Sequence, residues 1–148
     1  MSINCLTCEY NKDPKKSPGG WIKEYNYWIL EHINEPVPVL GWLVLKTKRH
    51  TEGITGMNED EAKELGEILN VVPKFLKEIC QASQIYIVCF TELVAHLHIH
   101  LIPRHINETR KGPELFSLID EVRKDTSKAV SVKKAIDIVK QLRITIKQ

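Results

Sequence analysis

No run of eighteen or more apolar residues occurs in the 148-residue chain, so no membrane-spanning helix is predicted. The start, Met1-Ser2-Ile3-Asn4-Cys5, lacks the charged and apolar stretches of a secretory signal, and the chain reads as cytoplasmic. Cysteine is scarce. Cys5, Cys8, Cys80 and Cys89 are too few for a disulfide scaffold of this size, and in a reducing compartment the close pair Cys5 and Cys8 suggests metal before disulfide. Neither sign of charge dominates either. With 21 Lys and Arg against 19 Asp and Glu, the net charge of +2 implies no broad attraction to nucleic acid or to an anionic membrane surface. Internal repeats and low-complexity tracts are also missing. What is left is an ordinary globular composition, long enough for a real core and read as one domain over residues 1–148.

What the chain does have is concentrated in residues 96–105, His-Leu-His-Ile-His-Leu-Ile-Pro-Arg-His. Histidine at every second position, separated by aliphatic residues, is a strand pattern. His96, His98 and His100 then share one face, about 7 Å apart from a rise of roughly 3.3 Å per residue, while Leu97, Ile99 and Leu101 face a core. Half of the six histidines fall within five residues, which marks a site rather than an incidental polar strand face.

Around it the elements read in order. Cys5-Leu6-Thr7-Cys8 has the spacing of half a tetrahedral zinc site; a redox pair would sit at a helix start after a strand, and no strand precedes it. Residues 11–20 form a polar loop dense in turn residues, followed by two short strands or a hairpin over residues 21–33. A third strand is predicted over residues 42–48. Asn58 and Glu61 have capping-box spacing, and Ala62, Leu65, Leu69, Val72, Leu76 and Ile79 mark one face of a long helix that Pro73 should kink. Cys80 ends this helix as a small buried hydrophobe, and Cys89 is core filler in a fourth strand over residues 85–91. A short link then leads into the histidine strand as an antiparallel hairpin.

Beyond Pro103, Leu115, Leu118, Ile119 and Val122 form one amphipathic segment, and Val132, Ala135, Ile136, Val139 and Leu142 another. Arg143-Ile144-Thr145-Ile146 has period two and reads as a short strand or extended arm. The class is α+β: an antiparallel sheet of about five strands, one long helix packed on it, and a C-terminal helical extension over residues 106–148.

Cys5 and Cys8 need two further ligands, and His32, His50, His96, His98, His100 and His105 are the candidates. A neutral imidazole whose second nitrogen is bonded to a backbone carbonyl is a competent nucleophile toward phosphorus, and a second imidazole two residues on would sit beside the same phosphate oxygens.

The run His96-Leu97-His98-Ile99-His100-Leu101-Ile102 is similar to the signature of the histidine triad family of nucleotide hydrolases and transferases. The likeness extends to Cys5-Leu6-Thr7-Cys8, to the strand from Gly41 to Lys48-Arg49-His50, and to the acidic opening of the helix at Asn58-Glu59-Asp60-Glu61. It covers residues 5 to 105 and leaves residues 106–148 unmatched.

The resemblance implies that His98 attacks the α-phosphorus of a nucleotide and that His100 contacts the phosphate and assists the leaving group. In the zinc-bearing branch, Cys5, Cys8, His50 and His96 would hold one structural Zn²⁺ per chain, anchoring residues 1–20 to the catalytic strand. Asn34 falls where the family bonds the ribose hydroxyls, although an Asn-x-Pro turn also uses such a side chain as a loop cap. His32 falls against the base, and Thr91, with Glu92, supplies the polar groups nearest the triad.

Two departures stand out: Trp42 replaces a frequent histidine, and Leu93 stands near the usual serine of the loop before the triad. The implied ligand is a purine nucleotide or nucleotide conjugate, such as a nucleoside phosphoramidate, an adenylated amine or a dinucleoside polyphosphate. The implied assembly is a homodimer. The alternative is a zinc-stabilised nucleotide sensor or interaction scaffold with little turnover.

Overall fold

In the computed structural model, which describes residues 4–147, the aliphatic–histidine alternation lies in a five-stranded antiparallel sheet. The strands are β1 (Lys23–Glu24), β2 (Trp28–His32), β3 (Leu43–Thr47), β4 (Ala82–Val88) and β5 (His98–His105), in the spatial order β1-β2-β3-β5-β4. Five helices accompany them: α1 (Leu6–Tyr10), α2 (Glu59–Ile79), α3 (Pro113–Phe116), α4 (Leu118–Lys124) and α5 (Val132–Ile146). No helix among the described residues is long and apolar enough to cross a membrane.

Strand alternation divides the sheet into two faces. Leu30, Leu43, Leu45, Ile99 and Leu101 pack against Leu65, Ile68, Val72 and Leu76 of α2 and Val139, Leu142 and Ile146 of α5. Burying each large aliphatic side chain stabilises the fold by about 1.5–3 kcal/mol, so this face carries much of the stability. The other face is only partly covered. Trp42 and Ile102 pack under Leu115 and Leu118, which leaves Glu31, Val44, Lys46, His98 and His100 lining open space. The register places Lys46 opposite His98 and Val44 opposite His100.

The start of α2 follows the capping-box expectation. Glu61 N–H donates to Asn58 Oδ1 at 2.9 Å and Asn58 N–H donates to Glu61 Oε2 at 3.0 Å. Arg49 also pairs with Glu61, at 2.9 Å, holding its carboxyl below the usual range. The helix runs through Pro73 as one element. Its buried line is Leu65, Ile68, Val72 and Leu76; Ala62 is exposed, and Ile68 replaces Leu69 at the centre of the stripe.

Three expectations are corrected. The fourth strand covers residues 82–88, three earlier than predicted, and leaves the Phe90–Val94 loop outside the sheet. Residues 143–146 are helical, because the buried series Val139, Leu142, Ile146 continues α5 at three- and four-residue steps and overrides the local period of two. Arg143 donates from this helix to the carbonyls of Gly19 and Trp21, tying it to the N-terminal loop.

The third concerns His32, which pairs with Leu43 on the core face of the sheet, away from His98 and His100. It is fully buried. Nδ1–H donates to the Ile33 carbonyl at 3.0 Å and Nε2 accepts from the Gly41 amide at 2.9 Å. His32 is therefore a core strut and not a base contact. Gly41 cannot carry a side chain there: its φ is +82°, and a Cβ would collide with Cys80 Sγ.

Burial pushes His32 down to about 4 from an ordinary 6.5. Between those values the unfolded chain binds a proton that the folded ring refuses, so this contribution to stability is present above pH 6.5 and lost as pH falls through the window. Comparing urea unfolding at pH 7 and pH 4.5, wild type should lose roughly 2–3 kcal/mol more than His32→Gln. Equal losses would contradict the buried neutral ring.

Candidate active site and metal centre

The chain at residues 5–10 makes a single turn of helix, with Cys5 as its N-cap accepting from the Cys8 amide. That turn brings both thiols to His50, just past the end of β3, and to His96, just before the start of β5. His96 Nδ1 lies 3.4 Å from Cys5 Sγ and 3.5 Å from Cys8 Sγ, and His50 Nδ1 lies 3.4 Å from Cys8 Sγ. All four donor atoms fall within 4.8 Å of one another. Zinc bonds of about 2.3 Å to sulfur and 2.0–2.1 Å to nitrogen require S···N separations of about 3.5 Å in a tetrahedron, so the donor set fits Zn²⁺. His96 Nε2–H donates to the Thr47 carbonyl at 2.8 Å, which fixes the tautomer that offers Nδ1. His50 Nε2 faces Glu52 Oε1 at 3.7 Å. Asn11 Nδ2 donates to the same Thr47 carbonyl, so the end of α1 is tied to β3 as well.

The three imidazoles thus separate into one and two. His96 turns to the cysteines, outside β5 and bridged to Glu52, while His98 and His100 stay together with ring centroids 5.1 Å apart. His98 Nδ1–H donates to the His96 carbonyl at 2.8 Å, so its Nε2 keeps the lone pair. His100 has the opposite tautomer. Trp42 Nε1–H can only donate, and it meets His100 Nδ1 at 2.9 Å; the ring proton therefore sits on Nε2. Burial, with a smaller push from His98, brings His100 to about 4, so it is a neutral donor at ordinary pH.

Two cavities meet at this pair. One, of about 210 Å³, is walled by Leu6, Thr7 and Tyr10 of α1, by Glu31, Asn34, Val44 and Lys46, and by Arg123 of α4. The other, of about 290 Å³, is walled by Phe90 to Val94, Phe116, Asp120 and Arg123. His98 and His100 line both. Asn34 belongs to the first, and its buried Oδ1 has no hydrogen-bond partner among the described residues, leaving an acceptor free. Thr91 lines the second from a left-handed φ of +52°, and its hydroxyl donates to the Phe90 carbonyl.

Sequence reasoning did not anticipate the roles of Trp42, Glu31, Lys46 and Arg123. Trp42 was visible only as a departure, and Arg123 lies in the unmatched C-terminal region. Glu31 and Lys46 were visible in principle as charges on strands that also carry buried residues.

Two measurements follow from this geometry. Purified protein should carry about one zinc per chain. Chelation, or Cys5→Ser, should remove it and lower Tm by on the order of 10 °C; a native protein free of metal with unchanged Tm would rule the centre out. In ¹⁵N NMR, His100 should show a protonated Nε2, and Trp42→Phe should mix its tautomers and cost about 1–3 kcal/mol of stability. An unchanged tautomer in that variant would remove Trp42 from this role.

No protein-family model matches the chain, and no curated protein matches it in sequence. Solved structures do match. A Hit-like protein involved in cell-cycle regulation from Bartonella henselae gives a TM-score of 0.71 at 15% identity over 97% of each chain. A zinc-bound histidine triad family protein from Mycobacterium smegmatis gives 0.69 at 13% identity, covering 99% of this chain and 98% of that one. Diadenosine triphosphate hydrolase from Plasmodium falciparum gives 0.60 at 16% identity, covering 86% and 76%. At such identities the likeness is one of fold, and it is consistent from match to match: the chain has the fold of the histidine triad proteins.

Proposed function

We propose that the chain is a histidine triad nucleotide hydrolase or nucleotidyl transferase with His98 as its nucleophile. The observation that carries this reading is the pair of opposed tautomers, with a lone pair on His98 Nε2 beside a neutral N–H donor on His100. The His98 lone pair forms a bond to the α-phosphorus, and the bond to the leaving group breaks with its electrons; the leaving group takes a proton from solvent. The positive charge that develops on His98 is held through Nδ1–H by the His96 carbonyl. His100 Nε2–H donates to a non-bridging phosphate oxygen. Water then attacks phosphorus, the P–N bond breaks, and nucleoside monophosphate leaves; another nucleophile in place of water gives transfer.

Asn34 Oδ1 would accept from a ribose hydroxyl, and Thr91 sits beside the leaving group. Zinc on Cys5, Cys8, His50 and His96 would anchor α1 to the catalytic strand and take no part in the chemistry. The reading takes a purine nucleotide or its conjugate as ligand, residues 1–148 as one domain, the cytoplasm as the compartment, and a homodimer as the assembly. In support of an assembly, β4 is a sheet edge, and Ile87 and Phe90 are exposed on or beside it.

A nucleotide sensor is the second reading. The loop before the triad favours it, since Thr91 spends its hydroxyl on Phe90 and Leu93 is 92% exposed. Turnover of adenosine phosphoramidate, an adenylated amine and diadenosine triphosphate separates the two. His98→Ala should reduce release of AMP by roughly a thousandfold or more while zinc content and Tm are kept. Near-wild-type rates in that variant would sink the nucleophile, and binding of AMP with no turnover in wild type would establish the sensor.

A further inference from the structure

We propose that Glu31 and Lys46 are a base-reading pair in the nucleoside cavity, hydrogen-bonding an edge of the base that carries a donor beside an acceptor. This rests on the nucleotide reading above. The two side chains are 8% and 3% exposed, and both line the cavity that His98 lines. Lys46 Nζ lies 2.8 Å from Glu31 Oε1, and the buried ammonium has no other partner among the described residues. Two of its three N–H donors are therefore unspent beside the cavity. A group so deeply buried costs stability unless something bonds it.

The fold gives no reason for the pair. Taking two charges out of water costs about as much as their attraction returns, and apolar replacements of similar size are often neutral or stabilising. Their neighbours on this face, Ile33 and Val44, are apolar, so an aliphatic pair would pack there.

Position argues for a base and against a phosphate. Lys46 is the cross-strand partner of His98, whereas Glu31 lies one strand further out, opposite Val44. Two strand spacings of about 4.8 Å separate β5 from β2, which puts Glu31 toward the nucleoside end of a nucleotide whose phosphorus is at His98. Glu31 also neutralises Lys46, removing the net charge that a phosphate would seek. A carboxylate accepts from an amino or imino N–H, and the ammonium donates to a carbonyl oxygen or ring nitrogen. Adenine, hypoxanthine and guanine each present such an edge. Unsubstituted purine lacks the donor.

Calorimetric titration of the zinc-loaded protein with AMP, IMP, GMP and purine riboside 5′-monophosphate tests this, because all four share ribose and phosphate. Wild type should bind its preferred purine at least tenfold tighter than purine riboside 5′-monophosphate, since a site built to bond a polar edge rejects the analogue lacking it. Glu31→Leu with Lys46→Met should keep or raise Tm and bring all four dissociation constants within threefold. Wild type without the preference, or a double variant that retains it, overturns the proposal. Should the double variant fail to fold, Glu31→Gln exchanges one acceptor for a donor at constant volume; it should narrow the preference tenfold, and an unchanged ratio is equally fatal. Wild type that binds none of the four overturns the proposed function itself, and this inference with it.

Discussion

His96 is the residue on which the site depends, because it joins the two halves through different atoms. Its Nδ1 faces the Cys5 and Cys8 sulfurs, its Nε2–H is spent on the Thr47 carbonyl, and its own carbonyl accepts from His98. The ring thus belongs to the cysteine–histidine cluster and the backbone to the pair of imidazoles lining the cavities. One set of hydrogen bonds decides which nitrogen of each histidine is free. Tautomer, more than proximity, separates the imidazole facing the thiols from the one whose Nε2 faces the cavities.

His100 extends the same logic through a different donor. Trp42 stands where the resemblance leads one to expect histidine, yet an indole N–H suits the position, since it can donate and cannot accept. A histidine there could switch roles with its partner; tryptophan cannot. The departure from the family pattern thus leaves His100 with a single donor direction, toward the shared wall of the two cavities.

Much of this was legible in the chain. Alternation placed Leu97, Ile99 and Leu101 in the core, the spacing of Asn58 and Glu61 opened α2, and Cys5-x-x-Cys8 pointed to a metal centre whose remaining ligands only the histidine triad resemblance supplied. His32 was misread because parity along β2 was not carried across to β3, where pairing with Leu43 assigns it to the core face. Arg143–Ile146 was misread because four residues are too few to separate a period of two from one of 3.6. Glu31 and Lys46 escaped notice because charges on a strand ordinarily mark a wet face, and the sequence marks their strands without marking their burial.

The short helix α1 lies between Cys5 and the polar loop, and its residues Leu6, Thr7 and Tyr10 form one wall of the cavity beside His98. The turn that presents the thiols is therefore also a surface against which a nucleoside would rest. On the proposed function, metal and nucleotide would be thermodynamically linked. Whatever factor zinc contributes to nucleotide affinity by ordering that wall, bound nucleotide must return to zinc affinity, because equilibrium coupling between two sites is reciprocal. On the proposed function, a chain of this design would release zinc and nucleotide less readily together than apart.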